Sequence, residues 1–425
     1  MALQAETQRG GLFGAALQLW ALLLGVALLL AGNGLQGTLL GVVAEDTGFS
    51  AAVTGLIMTA FYVGFLFGSA GAERLIAKVG HVRTFAALAS AGSIAILIHG
   101  LAIEPATWAA MRFITGFSFA GLYVVAESWL ARSSDNTFRG GLLAVYMIVQ
   151  HAGLTGGQIL MNAAPTSGLT LYVVTSIIIS AALIPILLSS APQPHVVMEV
   201  ERLSLSKLYR TSPLGVVGCL MAGVANGIIL GMSAVFARRL ELDVAAVSVF
   251  VAAIMVGGAA LQWPVGKLSD RLDRRKVIAG VAALTALAAL ALGPAAVAGG
   301  VWLTVSGFVL GGLALTLYPL ALSHTNDWLD PDQMTAASGA LVMVYGAGAV
   351  LGPLGAGLFM GWIGPDGFTV YLAVVAAALA AFAVFRITRR EAPESTEDYL
   401  PVGAAMGSGE YVGEAMVEAA ESDPA

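Results

Sequence analysis

Twelve apolar runs, each about 20 residues long and divided by short polar breaks, leave this chain only one solvent in which to fold. A run of that length crosses the ~30 Å of hydrocarbon in a bilayer as a helix, which satisfies its own backbone hydrogen bonds where no water can. The runs predict helices over 15–43, 51–72, 82–103, 106–131, 139–163 and 168–190, and then over 213–237, 244–266, 276–298, 300–325, 334–362 and 367–388. Only 11% of the residues are charged, against roughly 25% in soluble domains. The fold class is an all-α membrane protein. The first run is too long for the core of a cleaved leader and reads as a retained span. A lone cysteine, Cys219, excludes an internal disulfide.

The longest internal polar segment separates two sets of six helices. Residues 1–190 read as an N-terminal six-helix bundle, 191–212 as a cytoplasmic linker, 213–390 as a C-terminal bundle and 391–425 as an acidic, disordered cytoplasmic tail. The tail holds nine acids and no Lys or Arg, and without it the net charge of −6 becomes +3. A mildly basic body suits an anionic bilayer surface and gives no sign of nucleic acid. With both termini inside, 17 of the 20 Lys and Arg residues fall on the cytoplasmic side, the arrangement that short basic loops enforce.

The halves repeat one another. Asn33-Gly34 recurs as Asn226-Gly227, Gly64 as Gly257 and Arg83 as Lys276, all at an offset of 193. Tyr123 matches Tyr318 at 195, and Tyr146, Gly153 and Gly156 match Tyr345, Gly352 and Gly355 at 199. Transporters are often built from such repeats, with the solute site between them near mid-membrane.

Within the fourth span, Arg112, Gly116, Phe119, Tyr123 and Glu127 fall on one helical stripe, its two charges about 22 Å apart along the axis. A charge in hydrocarbon costs at least about 2.5–3.5 kcal/mol, so this stripe faces protein or a cavity. Glu127 reads either as a protonatable carboxylate or as a fixed partner of Arg83 or Arg139 closing the basic face. Arg112 reads as a binding or coupling group, or as a packing pair with backbone carbonyls. His151, mid-span beside Gln150, has the chemistry to carry protons or to rest in a fixed hydrogen bond. His99 and His324, near helix ends, read as interfacial. Asn33, Gln36 and Asn226 can bind a solute without committing to its charge, or can join helix to helix. Tyr123, Tyr146, Gln262, Trp263, Tyr318 and Tyr345 would complete a mixed aromatic and polar cavity. There is no phosphate-cradling loop, metal cluster or activated nucleophile, so no enzyme, no metal and no cofactor are expected.

The loop GKLSDRLDRR, with Gly266, Asp270, Arg271, Arg274 and Arg275, resembles the loop signature of the major facilitator superfamily. In the first half, AERLIAKVGHVR keeps Lys78, Gly80 and Arg83 but has Ala77 where the family has its acid. RFITGFSFAG, from Arg112 to Gly121, resembles the fourth-helix pattern tied in that family to proton coupling. The glycines of the fifth and eleventh spans resemble a motif associated with exporters. GLYVVAESWL and RLSLSKLYRTSPLGVVGC resemble a largely uncharacterised bacterial group, the YcaD-like transporters. The resemblance implies twelve transmembrane helices in two pseudo-symmetric six-helix bundles, working as a secondary active transporter in a bacterial inner membrane. It implies a monomer that moves a small organic solute by alternating access, driven by the proton gradient, with export favoured over import. The rivals are an uncoupled facilitator, and a scaffold or sensor that keeps the fold without transport.

Overall fold

The computed structural model describes residues 19–133, 139–188 and 204–389. The acidic tail, most of the expected linker and the loop before Arg139 lie outside the described residues. Among the described residues there is no strand. The N-terminal bundle comprises α1 (Trp20–Asp46), α2 (Ala51–Val79), α3 (His81–Leu101), α4 (Pro105–Ser133), α5 (Arg139–Leu160), α6 (Thr170–Ala181) and α7 (Leu183–Leu188). A short α8 (Leu205–Thr211) precedes the C-terminal bundle. That bundle comprises α9 (Pro213–Arg239), α10 (Val244–Arg271), α11 (Arg274–Ala298), α12 (Gly300–Ala314), α13 (Leu317–Asn326), α14 (Pro331–Ile363) and α15 (Asp366–Ile387).

The helices follow the expected runs, with two breaks. The sixth run divides into α6 and α7, and the tenth into α12 and α13. Pro185 and Pro319 explain both, because a proline ring clashes with the carbonyl four residues back, here Ala181 and Leu315 at the two breaks. Among the described residues, eleven spans are long and apolar enough to cross a membrane, α6 with α7 and α12 with α13 each counting as one. The fifth expected span, α5, falls short on apolarity rather than length, since its 22 residues reach about 33 Å. It carries Gln150, His151 and Gln158 among its glycines.

Lipid tails are as apolar as leucine, so helices in a bilayer associate through close packing rather than through a hydrophobic drive. The closest approaches here sit at glycines, and they repeat between the bundles. In the first, α2 crosses α4 where a side chain at Gly64 would strike the Phe113 carbonyl and one at Gly116 the Phe61 carbonyl. In the second, α10 crosses α12 where Gly257 faces the Phe308 carbonyl and Gly311 the Ile254 carbonyl. The same pairing joins α1 to α5 through Gly34 and Gly153, and α9 to α14 through Gly227 and Gly352. The offsets of 193, 195 and 199 read from the sequence are thus the offsets of touching backbones.

These crossings predict a contrast in stability. Gly64→Ala forces a Cβ into the backbone of α4, an overpacking that costs about 1–3 kcal/mol, and lowers the melting temperature of the detergent-solubilised protein. Gly280→Ala, with open space around it, leaves that temperature unchanged or raises it, because alanine is the better helix former.

Candidate functional site

Midway along the helices, between the bundles, lies a cavity of about 100 Å³. That is room for several waters or a solute of one ring. The first bundle lines it with Asn33 and Thr38 from α1, Phe61, Tyr62 and Phe65 from α2, Arg112 and Tyr123 from α4, and Gln150, His151 and Gln158 from α5. The second bundle adds Leu230, Val251, Met255, Leu315 and Tyr345. Polarity is therefore one-sided: the N-terminal bundle brings the amides, the imidazole and the guanidinium, and the C-terminal bundle one phenol on an apolar wall.

The polar wall of α5 follows from spacing, since Gln150, His151, Leu154 and Gln158 form one stripe at helical period. Gln158 is a closed amide: its Nε2 donates to the Gly34 carbonyl at 3.0 Å, and its Oε1 accepts from Thr38 Oγ1 at 2.5 Å. His151 Nδ1 donates to the Met147 carbonyl at 2.9 Å, which leaves Nε2 as the ring's other polar atom. Asn33 Nδ2 donates to the Tyr123 hydroxyl at 3.3 Å, while its repeat mate Asn226 donates to the Tyr345 hydroxyl at 3.1 Å. The two amides thus find tyrosines on non-equivalent helices, α4 in one half and α14 in the other.

The α4 stripe faces inward throughout: Arg112, Phe119, Tyr123 and Glu127 are all buried. Arg112 is 4% exposed, with its guanidinium carbon 4.3 Å from the centre of the Phe61 ring. Its Nε and Nη1 are buried without a hydrogen-bond partner. Glu127, one turn beyond Tyr123, is fully buried and lies within electrostatic reach of the Tyr318 hydroxyl in the other bundle.

Several expected wall residues sit behind the wall. Asn226 is fully buried behind Tyr345, and Tyr318 packs its ring on that of Tyr345 with centroids 4.6 Å apart. Gln36 and Tyr146 are also fully buried and off the cavity, as is Gln262 at 7% exposure. Trp263 faces outward at 66% exposure, with the Lys267 ammonium 4.2 Å from its ring centre. His99 and His324 each lie in the last turn of their helix, as expected, and both are buried against the protein. His99 Nδ1 donates to the Ala95 carbonyl at 2.7 Å, and its own carbonyl accepts from Trp108 Nε1. The sequence reading missed Thr38, Phe61, Tyr62, Phe65 and Gln158. The three aromatics lie in a span that looks uniformly apolar, whereas the shared stripe with Gln150 marks Gln158.

Two ionic clusters lie toward the two ends. At the far end, where α1 and α9 finish, Arg238 pairs with Asp46 at 2.6 Å and Arg239 with Glu45 at 2.9 Å, bridging the bundles. Deeper on that side, Ser248 Oγ donates to the Gln158 carbonyl and Thr59 Oγ1 to the Val350 carbonyl. At the basic-loop end the second bundle carries a cluster of its own. Arg274, 1% exposed, joins Asp270 at the end of α10 to Asp327 after α13. Gly266 is buried beneath this loop, and Arg271 is exposed. Asp273 caps α11, and hydrogen bonds from the Arg275 guanidinium hold its carboxyl below the usual carboxylate range. That contribution is present above the ordinary carboxylate pKa and lost only as pH falls through the lowered one, so the cap is intact near neutrality.

In the first bundle the same offset sets Ala77 against Asp270 and His81 against Arg274. His81 is buried, its Nε2 3.1 Å from Ser128 Oγ and its ring edge-on to Trp129. Lys78 and Arg83 are exposed, and Gly80 makes the α2–α3 turn at φ 86°.

A family description of the Major Facilitator Superfamily matches residues 22–255 and again 214–404, so each half registers against it. The chain belongs to the major facilitator superfamily. As a member it is a multi-pass membrane transporter rather than an enzyme. It is 29% identical over 320 residues to an uncharacterised MFS-type transporter of Yersinia enterocolitica, the match covering 72% of this chain and 79% of that one. It is 28% identical over 301 residues to the MFS-type transporter YcaD of Escherichia fergusonii, covering 70% and 77%. Among solved structures, the nucleoside transporter NupG superposes with a TM-score of 0.70 at 13% identity, covering 88% of this chain and all of that one.

Burial separates the two ionic clusters in energy. Exposed pairs such as Arg238–Asp46, each side chain about a third exposed, contribute about 0–1 kcal/mol. Removing one member of a buried pair costs about 3–5 kcal/mol, because the other charge is stranded. Arg274→Met should therefore lower thermal stability sharply, Arg274→Met with Asp327→Leu should recover much of the loss, and Arg238→Ala should barely register, all measured by melting in detergent.

Proposed function

We propose that this protein is a secondary active transporter that carries a small organic solute by alternating access, coupled to protons. The observation that carries this reading is the central cavity, which lies between two pseudo-symmetric bundles that ion pairs bridge toward one end. A partly exposed pair between bundles such as Arg238–Asp46 suits a contact that must open in every cycle; the buried Arg274 guanidinium, held by Asp270 and Asp327 of its own bundle, suits a part that moves as a unit. The solute site is proposed on the N-terminal wall, at Asn33, Arg112, Tyr123 and Gln150, with Tyr345 facing it from the second bundle.

Coupling is assigned to Arg112, Glu127 and His151, ionisable groups held inside the membrane where such groups mark proton and ion routes. The basic-loop end is assigned to the cytoplasm, which puts 17 of the 20 Lys and Arg residues there, in a bacterial inner membrane with both termini inside. Gly153 and Gly352, part of the motif associated with export, are occupied by helix contacts, so direction is left to the gradients.

Two measurements test the reading. A thiol cross-link between Asp46→Cys and Arg238→Cys, with Cys219 fully buried and out of reach, should arrest flux in proteoliposomes, and reductant should restore it. Flux that persists through the cross-link overturns alternating access at this end. An imposed pH gradient should drive accumulation in the wild type, and Glu127→Gln should abolish accumulation while leaving counterflow exchange. Indifference of the wild type to the gradient overturns coupling.

A further inference from the structure

The cavity wall offers more hydrogen-bond donors than its own acceptors can take up. Arg112 is nine-tenths buried or more, and its Nε and Nη1 meet no acceptor. A guanidinium stays protonated under any physiological condition. An uncompensated buried charge costs several kcal/mol, and the ring face of Phe61 returns about 2 kcal/mol when desolvated. The titratable groups within electrostatic reach of Arg112 are the Tyr62 phenol and the His99 imidazole, neither of which supplies a carboxylate. Among the described residues no Asp or Glu lines the cavity. A second, separate donor stands on the same wall: Gln150, 1% exposed, has its Nε2 buried without a partner. The other amide of α5, Gln158, is fully satisfied, so the open donors are not a general property of that helix.

We infer that the central cavity binds a small organic anion, its charged oxygens held by Arg112 and Gln150 and its apolar part laid against the second bundle. The inference rests on the transporter reading and names its substrate class. Geometry supports each part. Arg112 presents a planar fork suited to a carboxylate or a phosphate, and a charge-assisted bond of this kind is about twice as strong as a neutral one. Leu230, Val251, Met255 and Leu315 form an apolar wall that takes a ring or short chain and makes no polar demand. A volume of about 100 Å³ admits one ring. A cationic solute would sit against an uncompensated positive charge. A neutral solute would leave that charge unanswered.

Matched probes test this on the purified full chain: benzoate against benzamide, hexanoate against hexanamide, and phenyl phosphate against phenol, each read by thermal shift. At least one acid should raise the melting temperature in a saturable way while its neutral partner does not. Arg112→Gln should weaken that acid at least tenfold, Arg112→Lys should keep part of the affinity, and Gln150→Ala should cost a few-fold. In the absence of probe, Arg112→Gln should melt at or above the wild-type temperature, because it removes a stranded charge. The inference is overturned if the neutral partners bind as well as the acids, if no acid binds, if Arg112→Gln binds the acids unchanged, or if Arg112→Gln without probe is less stable. Flux in proteoliposomes separates the two readings. Arg112-dependent binding with no flux of the bound acid sinks the transporter and leaves the anion site. Flux of a neutral probe that survives Arg112→Gln does the reverse.

Discussion

Inside a bilayer nothing outside the protein will answer a polar atom, and nothing drives one apolar helix against another. The glycine crossings meet the second condition. At Gly64, Gly116, Gly257 and Gly311 one backbone lies against another, with no room for a side chain between them. Each bundle is held by the same kind of crossing, and these fix where α4 presents its inward stripe and where α12 ends at Leu315. The cavity inherits its shape from these crossings. It is the space left once α2 with α4, and α10 with α12, have come as close as backbones can.

Against that rigid frame the polar groups divide by burial. The Arg274 guanidinium is buried where it meets Asp270 and Asp327 of the second bundle, whereas Arg238 with Asp46 is partly exposed and joins the two bundles. The cost of breaking each differs by several kcal/mol. At the matching offset the first bundle has Ala77 and a buried His81 where the second has Asp270 and Arg274. It carries most of the polar cavity wall.

Much of this was legible in the sequence. The spans, the two halves and the repeat offsets all come from apolar run length and recurring glycines, quantities that a bilayer dictates directly. The inward stripe on α4 was equally plain, because charge in a span has few places to go. Side-chain depth was harder. Asn226, Gln262 and Tyr318 share residue types with the wall and lie behind it, since a rotation of one helical position moves a residue by 100°. Phe61, Tyr62 and Phe65 were invisible for the opposite reason: an aromatic that lines a cavity and one that meets lipid look alike in a hydropathy profile. The ion pairs of Glu45 and Asp46 with Arg239 and Arg238 join positions nearly 200 residues apart, and no local pattern announces them.

The shortfall of α5 in apolarity has a consequence for how the chain is made. A helix carrying Gln150, His151 and Gln158 pays an insertion penalty that its glycines do nothing to offset. The Gln158 amide is satisfied only when the Gly34 carbonyl and the Thr38 hydroxyl of α1 are already alongside. During synthesis α5 must therefore settle against a helix that left the ribosome more than a hundred residues earlier. The span that brings the most polar side chains to the cavity is thus the one with the least apolar surface to carry it into the membrane.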